Sequence, residues 1–294
     1  MQIPASFEYQ RAQTVEEALE LLGRFGKEAR VLAGGHSLLP MMRRGSASPE
    51  LLVDINDLTE LDRIDQADGE LRVGALTRHR SLLESPLVGR NLPIVHDAER
   101  VITDPRLRNR GTIGGSLCQA DPAEDVPAVC AALRAVVVIR GAGGERTVAM
   151  PDFHRGPFRT AVGPGELLTE VRFPVRPGSG SAYEKSVGTA GDRAVAAAGV
   201  ALCLDDGLMT HVGVGLAGVD ATGPHAAAVQ ELLEGREPSR ELFEEAGRVA
   251  SASCSPVTDA RGTADRKRHL AGELTERALR RAVVRATARA AGEG

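Results

Sequence analysis

Two pairs of adjacent glycines stand out as groups able to hold an anion. The first lies in VLAGGHSLLP, where Ala33, Gly34, Gly35, His36, Ser37 and Leu38 follow the apolar end of a short strand. The second lies about eighty residues on in GTIGGSLCQADPAEDVPA, as Thr112, Ile113, Gly114, Gly115 and Ser116. Glycine reaches positive φ and leaves no Cβ in the way, so successive backbone N–H groups can converge on an anion while serine and threonine hydroxyls add donors. Either pair alone is an ordinary turn. Together, supplied by two subdomains, they could grip one pyrophosphate from both sides, with Asp121 and Asp125 downstream as acceptors for ribose or ribityl hydroxyls.

A third glycine pattern is closer to a nucleotide motif in text and weaker in context. Gly213-Val214-Gly215-Leu216-Ala217-Gly218 fits GxGxxG, but that motif works only where the turn opens a helix. The following Val219-Asp220-Ala221-Thr222-Gly223-Pro224 cannot start one at once, so glycines in a crowded strand are expected here. His36 is expected to position backbone rather than move protons, and the other histidines form no base and nucleophile pair with local support. Cys118, Cys130, Cys203 and Cys254 include no CxxC, so local spacing builds neither a zinc knuckle nor an iron–sulfur cluster.

The elements that must position these residues can be read from periodicity. Thr14 caps a helix carrying Ala18, Leu21, Leu22 and Phe25, stopped by Gly26, and a strand at residues 29–32 leads into the first glycine turn. LLVDIND and GELRVGAL read as strands, residues 81–88 and 96–101 as helices, residues 111–128 as a loop and residues 129–133 as a helix. AVVVIRG and GERTVAM read as a hairpin, and VRPGSGS as a linker. Strands near residues 195–204 and 211–216 then alternate with helical patterns after Ala226 and Ser239. These divide the chain at residues 1–58, 59–176 and 177–294: two α/β lobes followed by an α+β domain.

With 294 residues, 42% hydrophobic and 26% charged, the chain has a soluble composition and room for about two or three compact units. A net charge of -4 with no basic face argues against nucleic-acid binding. The arginine-rich segment after Glu276 is expected to be a solvated helix face. No apolar run approaches the roughly 20 residues of a membrane span, and no export signal is visible, so a cytoplasmic location is expected.

The segments AGGHSLLPMMR, LVDINDL, RVGALT, DPRLRNRGTIGGSLCQADPAEDVPA, PGELLTEVRFP and SPVTDARGTADRKRHL occur in order over nearly the whole chain. In this combination the sequence resembles the FAD-binding medium subunits of the molybdenum hydroxylases, the carbon monoxide dehydrogenase and xanthine dehydrogenase group. The resemblance implies an α+β chain: a two-lobed FAD-binding domain of the vanillyl-alcohol-oxidase (PCMH) type followed by an α+β C-terminal domain. It implies that residues 33–37 and 112–116 wrap the FAD pyrophosphate, that Asp125 binds a flavin-side hydroxyl, that Leu168 lines the flavin, and that Lys185 contacts the cofactor. It also implies partners: a large molybdopterin subunit, a small subunit with [2Fe–2S] clusters, and a small-molecule electron acceptor. No side chain of this chain is expected to act as an acid–base catalyst.

The sequence departs from the family beside the flavin. Thr189 replaces an arginine, Arg193 follows Gly191-Asp192 where an aromatic is usual, and Arg266 replaces a tyrosine. Arg193 is expected either to stack on the ring or to point to solvent. Two other readings therefore stand beside an electron-transfer subunit: a stand-alone FAD-dependent oxidoreductase, and a scaffold that has lost FAD. Valine at Gly114 and Gly115 is expected to abolish flavin retention by filling the space of the phosphate oxygens.

Overall fold

The computed structural model describes residues 4–102, 104–188, 193–219 and 223–292. In the first lobe β1 (Glu8–Arg11), β2 (Ala29–Leu32) and β3 (Leu51–Asp54) form a parallel sheet in the order β1-β3-β2. The helix Val15–Phe25 packs Val15, Ala18, Leu21 and Leu22 into the core of this lobe. Its first turn is capped by the Thr14 hydroxyl, which accepts from Glu17 N–H at 3.1 Å, and it ends at Gly26 with φ 53°.

The second lobe is a five-stranded antiparallel sheet in the order β4-β5-β8-β6-β7, with β4 Ile64–Ala67, β5 Glu70–Gly74, β6 Val136–Gly141, β7 Gly144–Ala149 and β8 Leu167–Pro174. Most of its helices fill the connection between β5 and β6, and the short helix Met150–Phe153 follows β7. The single helix expected at residues 81–88 is two, His79–Glu84 and Pro86–Asn91, because Pro86 has no N–H to continue the first. The Ser85 side chain caps the second by accepting from Val88 N–H. Residues 111–128, read as a loop, hold the helix Ile113–Gln119 and the start of Asp125–Ala132. Burial of Ile113, Gly114 and Leu117, with the Thr112 hydroxyl accepting from Gly115 N–H, outweighs the poor helix propensity of the two glycines.

In the third unit β9 (Gly180–Val187), β10 (Ala194–Asp205) and β11 (Leu208–Ala217) form an antiparallel sheet in the order β11-β10-β9. Ala196, Ala198, Val200 and Val214 face a core shared with the helices Arg240–Ser253 and Ala264–Ala290. Ala194, Ala197, Ala201 and Ala217 join the core of the second lobe. Every residue of the helix Asp125–Ala132 is buried, and it lies against β10 and β11. A Cβ at Gly213 would sit 1.9 Å from the Ala132 carbonyl oxygen, and one at Gly215 2.0 Å from that of Ala128. The GxGxxG pattern is thus a seat for a helix, not a phosphate turn.

The arginine-rich segment differs from the expected solvated face. It is the second half of the helix Ala264–Ala290, and Arg281 and Arg285 donate to the Asp97 carboxylate at 3.1 and 2.6 Å. Arg289 donates to the Ser179 carbonyl at 3.0 Å. The run is a clamp that holds the third unit to the helix Pro93–Arg100.

Candidate cofactor site

The two glycine turns meet. A Cβ on Gly34 would stand 2.3 Å from the Arg110 carbonyl oxygen and 2.9 Å from Gly111 Cα, so the first turn rests directly on the backbone that leads into the second. Arg78 pins this contact, donating to the Arg110 carbonyl at 2.5 Å and to Asn56 Oδ1 at 2.7 Å. Asn56 in turn donates to the Ala33 carbonyl at 2.9 Å and to Asp54 Oδ1 at 2.6 Å, while the Tyr9 hydroxyl donates to Asp54 Oδ2 at 2.5 Å. Burial pushes the Asp54 carboxyl up, but the bonds from Tyr9 and Asn56 outweigh it and hold the group below its ordinary value.

Beside this contact runs a cleft of about 1040 Å³, larger than most small-ligand pockets. Ala33, Gly34, Gly35, His36, Ser37 and Leu38 line it, as do Thr112, Gly114, Gly115, Ser116, Asp125 and Leu168. Ile113 does not; its side chain is buried in the second lobe's core.

The turns play unequal parts. Gly35 has φ 77°, and among the described residues no acceptor takes the N–H groups of Gly34, Gly35, His36 or Ser37. His36 Nδ1 lies 3.2 Å from the Gly34 carbonyl oxygen, a contact that shapes the loop. The second turn keeps its N–H groups for itself: Ile113 donates to Thr77 O, Gly114 to Ala75 O, Gly115 to the Thr112 hydroxyl and Ser116 to Thr112 O. What this side offers the cleft is a close, smooth wall and the Ser116 hydroxyl. Valine at these two glycines would act from behind the wall rather than by filling the space of the phosphate oxygens. A Cβ on Gly114 would strike Ala75 at 2.7 Å, and one on Gly115 the Thr112 hydroxyl at 2.8 Å, so both would disturb packing behind the wall.

Asp125 faces the cleft with both oxygens held from behind. Its Oδ1 accepts from the Tyr183 hydroxyl at 2.7 Å and its Oδ2 from Lys185 Nζ at 2.6 Å. Burial pushes the Asp125 carboxyl up, and Lys185 and Tyr183 oppose that rise. Lys185 does not line the cleft; it stands behind Asp125, its side chain only 1% exposed. Asp121 is also turned aside. One carboxylate oxygen accepts from Ala123 N–H at 3.0 Å, the other pairs with Arg193, and the residue borders a small side pocket instead. Arg193 itself lines the cleft and is held by Asp121, with its side chain still 55% exposed. Thr189, Gly191 and Asp192 lie outside the described residues. Arg266 is exposed at the start of the C-terminal helix, away from the cleft.

Two cleft residues escaped the sequence reading. His79 is buried, with Nδ1 2.9 Å from Glu99 Oε1, and lines the cleft. Burial lowers its pKa, but the charge of Glu99 prevails and raises it above the ordinary value. Glu124, beside Asp125, accepts a hydrogen bond from the Ser116 hydroxyl. Its signal was an acidic residue next to a supposed anion site, which no spacing rule marks.

Residues 5–176 match the profile of the FAD binding domain in molybdopterin dehydrogenase, and residues 181–282 that of the CO dehydrogenase flavoprotein C-terminal domain. The chain belongs to the FAD-binding medium chains of the molybdenum hydroxylases. It is 40% identical over 289 residues to the carbon monoxide dehydrogenase medium chain of Afipia carboxidovorans, covering 98% of this chain and 99% of the relative. It is 35% identical over 277 residues to the glyceraldehyde dehydrogenase medium chain of Sulfolobus acidocaldarius, covering 94% and 98%. The carbon monoxide dehydrogenase structure from Hydrogenophaga pseudoflava superposes with a TM-score of 0.93 at 40% identity, over 97% of this chain and 99% of that one.

This medium chain is therefore an FAD-binding component of an oxidoreductase, built as a two-lobed FAD-binding domain followed by the flavoprotein C-terminal domain. The cleft fits the cofactor. It combines free N–H donors for an anion, a close glycine wall, an apolar stretch at Leu32 and Leu168, and a carboxylate at Asp125. Among the described residues no helix is long and apolar enough to cross a membrane.

Proposed function

We propose that this medium chain carries electrons within a molybdenum hydroxylase complex, receiving them from a small [2Fe–2S] subunit and passing them to a small-molecule acceptor. A large molybdopterin subunit would hydroxylate the substrate. The observation that carries the reading is the end-to-end match to medium chains, with both glycine turns and Asp125 assembled on one cleft. Bound FAD supplies a centre that exchanges electrons singly or in pairs.

The chain's own residues would bind and orient. Gly34, Gly35, His36 and Ser37 would direct their N–H groups at the pyrophosphate, against the wall formed by Thr112, Gly114, Gly115 and Ser116. Each Asp125 oxygen has a lone pair beyond the one used by Tyr183 or Lys185, enough to accept a cofactor hydroxyl. Lys185 would act through Asp125 by fixing its charge and rotamer, and Leu168 would keep water from the ring. Ala33, Leu38 and Ile113 would hold the turns in place. Asp121 would serve by tethering Arg193 at the cleft wall. Cys118, Cys130 and Cys203, all free thiols, support a reducing, cytoplasmic setting.

The test is expression of the tagged chain in its native host, followed by affinity purification and metal analysis. Molybdenum and iron co-purifying with FAD are expected. Full substrate turnover by the isolated chain, without either metal, would instead support a stand-alone flavin oxidoreductase.

A further inference from the structure

We propose that Glu124 is a positioning residue for FAD binding, acting in its neutral form through Ser116, so that cofactor binding takes up a proton. This rests on the reading of the cleft as the FAD pyrophosphate site. Ser116 has a fixed backbone, its N–H bonded to Thr112 O, and its hydroxyl lies in the cleft wall beside Gly115. In the structure that hydroxyl donates to Glu124 Oε2. A serine has one proton to give, so while Glu124 is a carboxylate, Ser116 turns only lone pairs to an anion in the cleft. A protonated Glu124 can reverse the bond, donating to Ser116 Oγ and freeing the serine O–H for the anion. One negative group, the Glu124 carboxylate, is thereby exchanged for a chain of two donors.

The surroundings favour this exchange. Glu124 sits half-buried between the cleft and the small side pocket, and desolvation by the surrounding protein pushes its carboxyl up to about 7, outweighing the Ser116 hydrogen bond. His79 faces it from the helix His79–Glu84 and lowers it, while Asp125 raises it. Several other charged or titratable groups nearby are engaged, and burial pushes the thiol of Cys118, in the same cleft wall, up to about 12. Glu99 is bonded to His79, Lys185 and Tyr183 to Asp125, Arg193 to Asp121, and His154 Nε2 lies 3.3 Å from the Leu117 carbonyl oxygen. None supplies Glu124 with a direct cation. A pyrophosphate alongside would raise its pKa further.

The test is FAD titration of the deflavinated full chain by flavin fluorescence between pH 6 and 9, with proton uptake measured by calorimetry at pH 8 in two buffers of different ionisation enthalpy. Wild-type affinity is expected to fall at least about tenfold from pH 7 to 9, as binding linked to one proton can weaken up to tenfold per pH unit. Glu124→Gln, which keeps a donor toward Ser116 without a charge, is expected to vary less than about threefold over that range and to bind more tightly than wild type at pH 9. Equal profiles for the two proteins would overturn the proposal, as would a pH dependence that survives in Glu124→Gln and so belongs to His79. Absence of proton uptake by the wild type at pH 8 would overturn it without recourse to a variant. Failure of both proteins to bind FAD at any pH would instead refute the cofactor site itself.

Discussion

Lys185 Nζ lies 2.6 Å from Asp125 Oδ2, and both side chains are nearly sealed from solvent, at 1% and 6% exposure. The contact ties a strand of the third unit to the first turn of a buried helix in the second lobe. An ion pair so placed couples the C-terminal domain to the cleft wall, and its loss is costly because the surviving charge stays buried.

Lys185→Met is expected to destabilise the protein by about 3–5 kcal/mol, as measured by denaturant unfolding of the flavin-free chain. Adding Asp125→Asn should recover much of that loss, since neither charge then remains. A double variant no more stable than the single would show that the pair is not the source.

Gly213→Ala and Gly215→Ala are expected to destabilise by at least about 1–3 kcal/mol, because the added methyl meets the carbonyl oxygens of Ala132 and Ala128 rather than a movable side chain. FAD bound per folded chain should be unchanged. A selective loss of nucleotide binding with full stability would restore the phosphate-turn reading of GVGLAG.

Two groups should make the flavin-free chain lose stability as pH rises from 5 to 8, against His154 and His225, whose pKa values burial lowers and which act the other way. The folded pKa of His79 is raised above its ordinary 6.5, so its contribution is fully present below about pH 6.5 and is lost as pH climbs through the folded value. Glu124 acts in the same direction: its folded carboxyl holds a proton up to about 7, so the folded state binds more protons than the unfolded chain from the ordinary carboxylate range upward. Denaturation midpoints at several pH values, repeated with Glu99→Gln and Glu124→Gln, measure each share. Profiles in both variants that match the wild type's would contradict both.

Much of this architecture was legible because local signals agreed with tertiary ones. Thr14 and Gly26 bound the first helix where capping chemistry requires, and the glycine turns carried their meaning as a pair. The second turn was misjudged as loop because glycine propensity is local, whereas the helix Ile113–Gln119 is held by burial of Leu117 and Ile113. Arg281 and Arg285 read as solvated because their partner, Asp97, lies 184 and 188 residues away in sequence. Lys185 was assigned direct cofactor contact from resemblance and Asp121 from its place after the second glycine turn, but sequence cannot tell a residue that faces the cleft from one standing behind or beside it. Glu124 was hidden for a related reason: only the fold shows that its neighbour is Ser116.

The most direct measurement is the flavin content of the purified chain and of its Gly34→Ala variant, with folding checked by circular dichroism and flavin identified after denaturation. The wild type should release FAD in stoichiometric amount. The added methyl, 2.3 Å from the Arg110 carbonyl oxygen, should force the two turns apart and cut FAD affinity at least about tenfold in a chain that still folds. A folded Gly34→Ala protein that retains FAD as tightly as wild type would contradict a cofactor site built on the contact between the two turns.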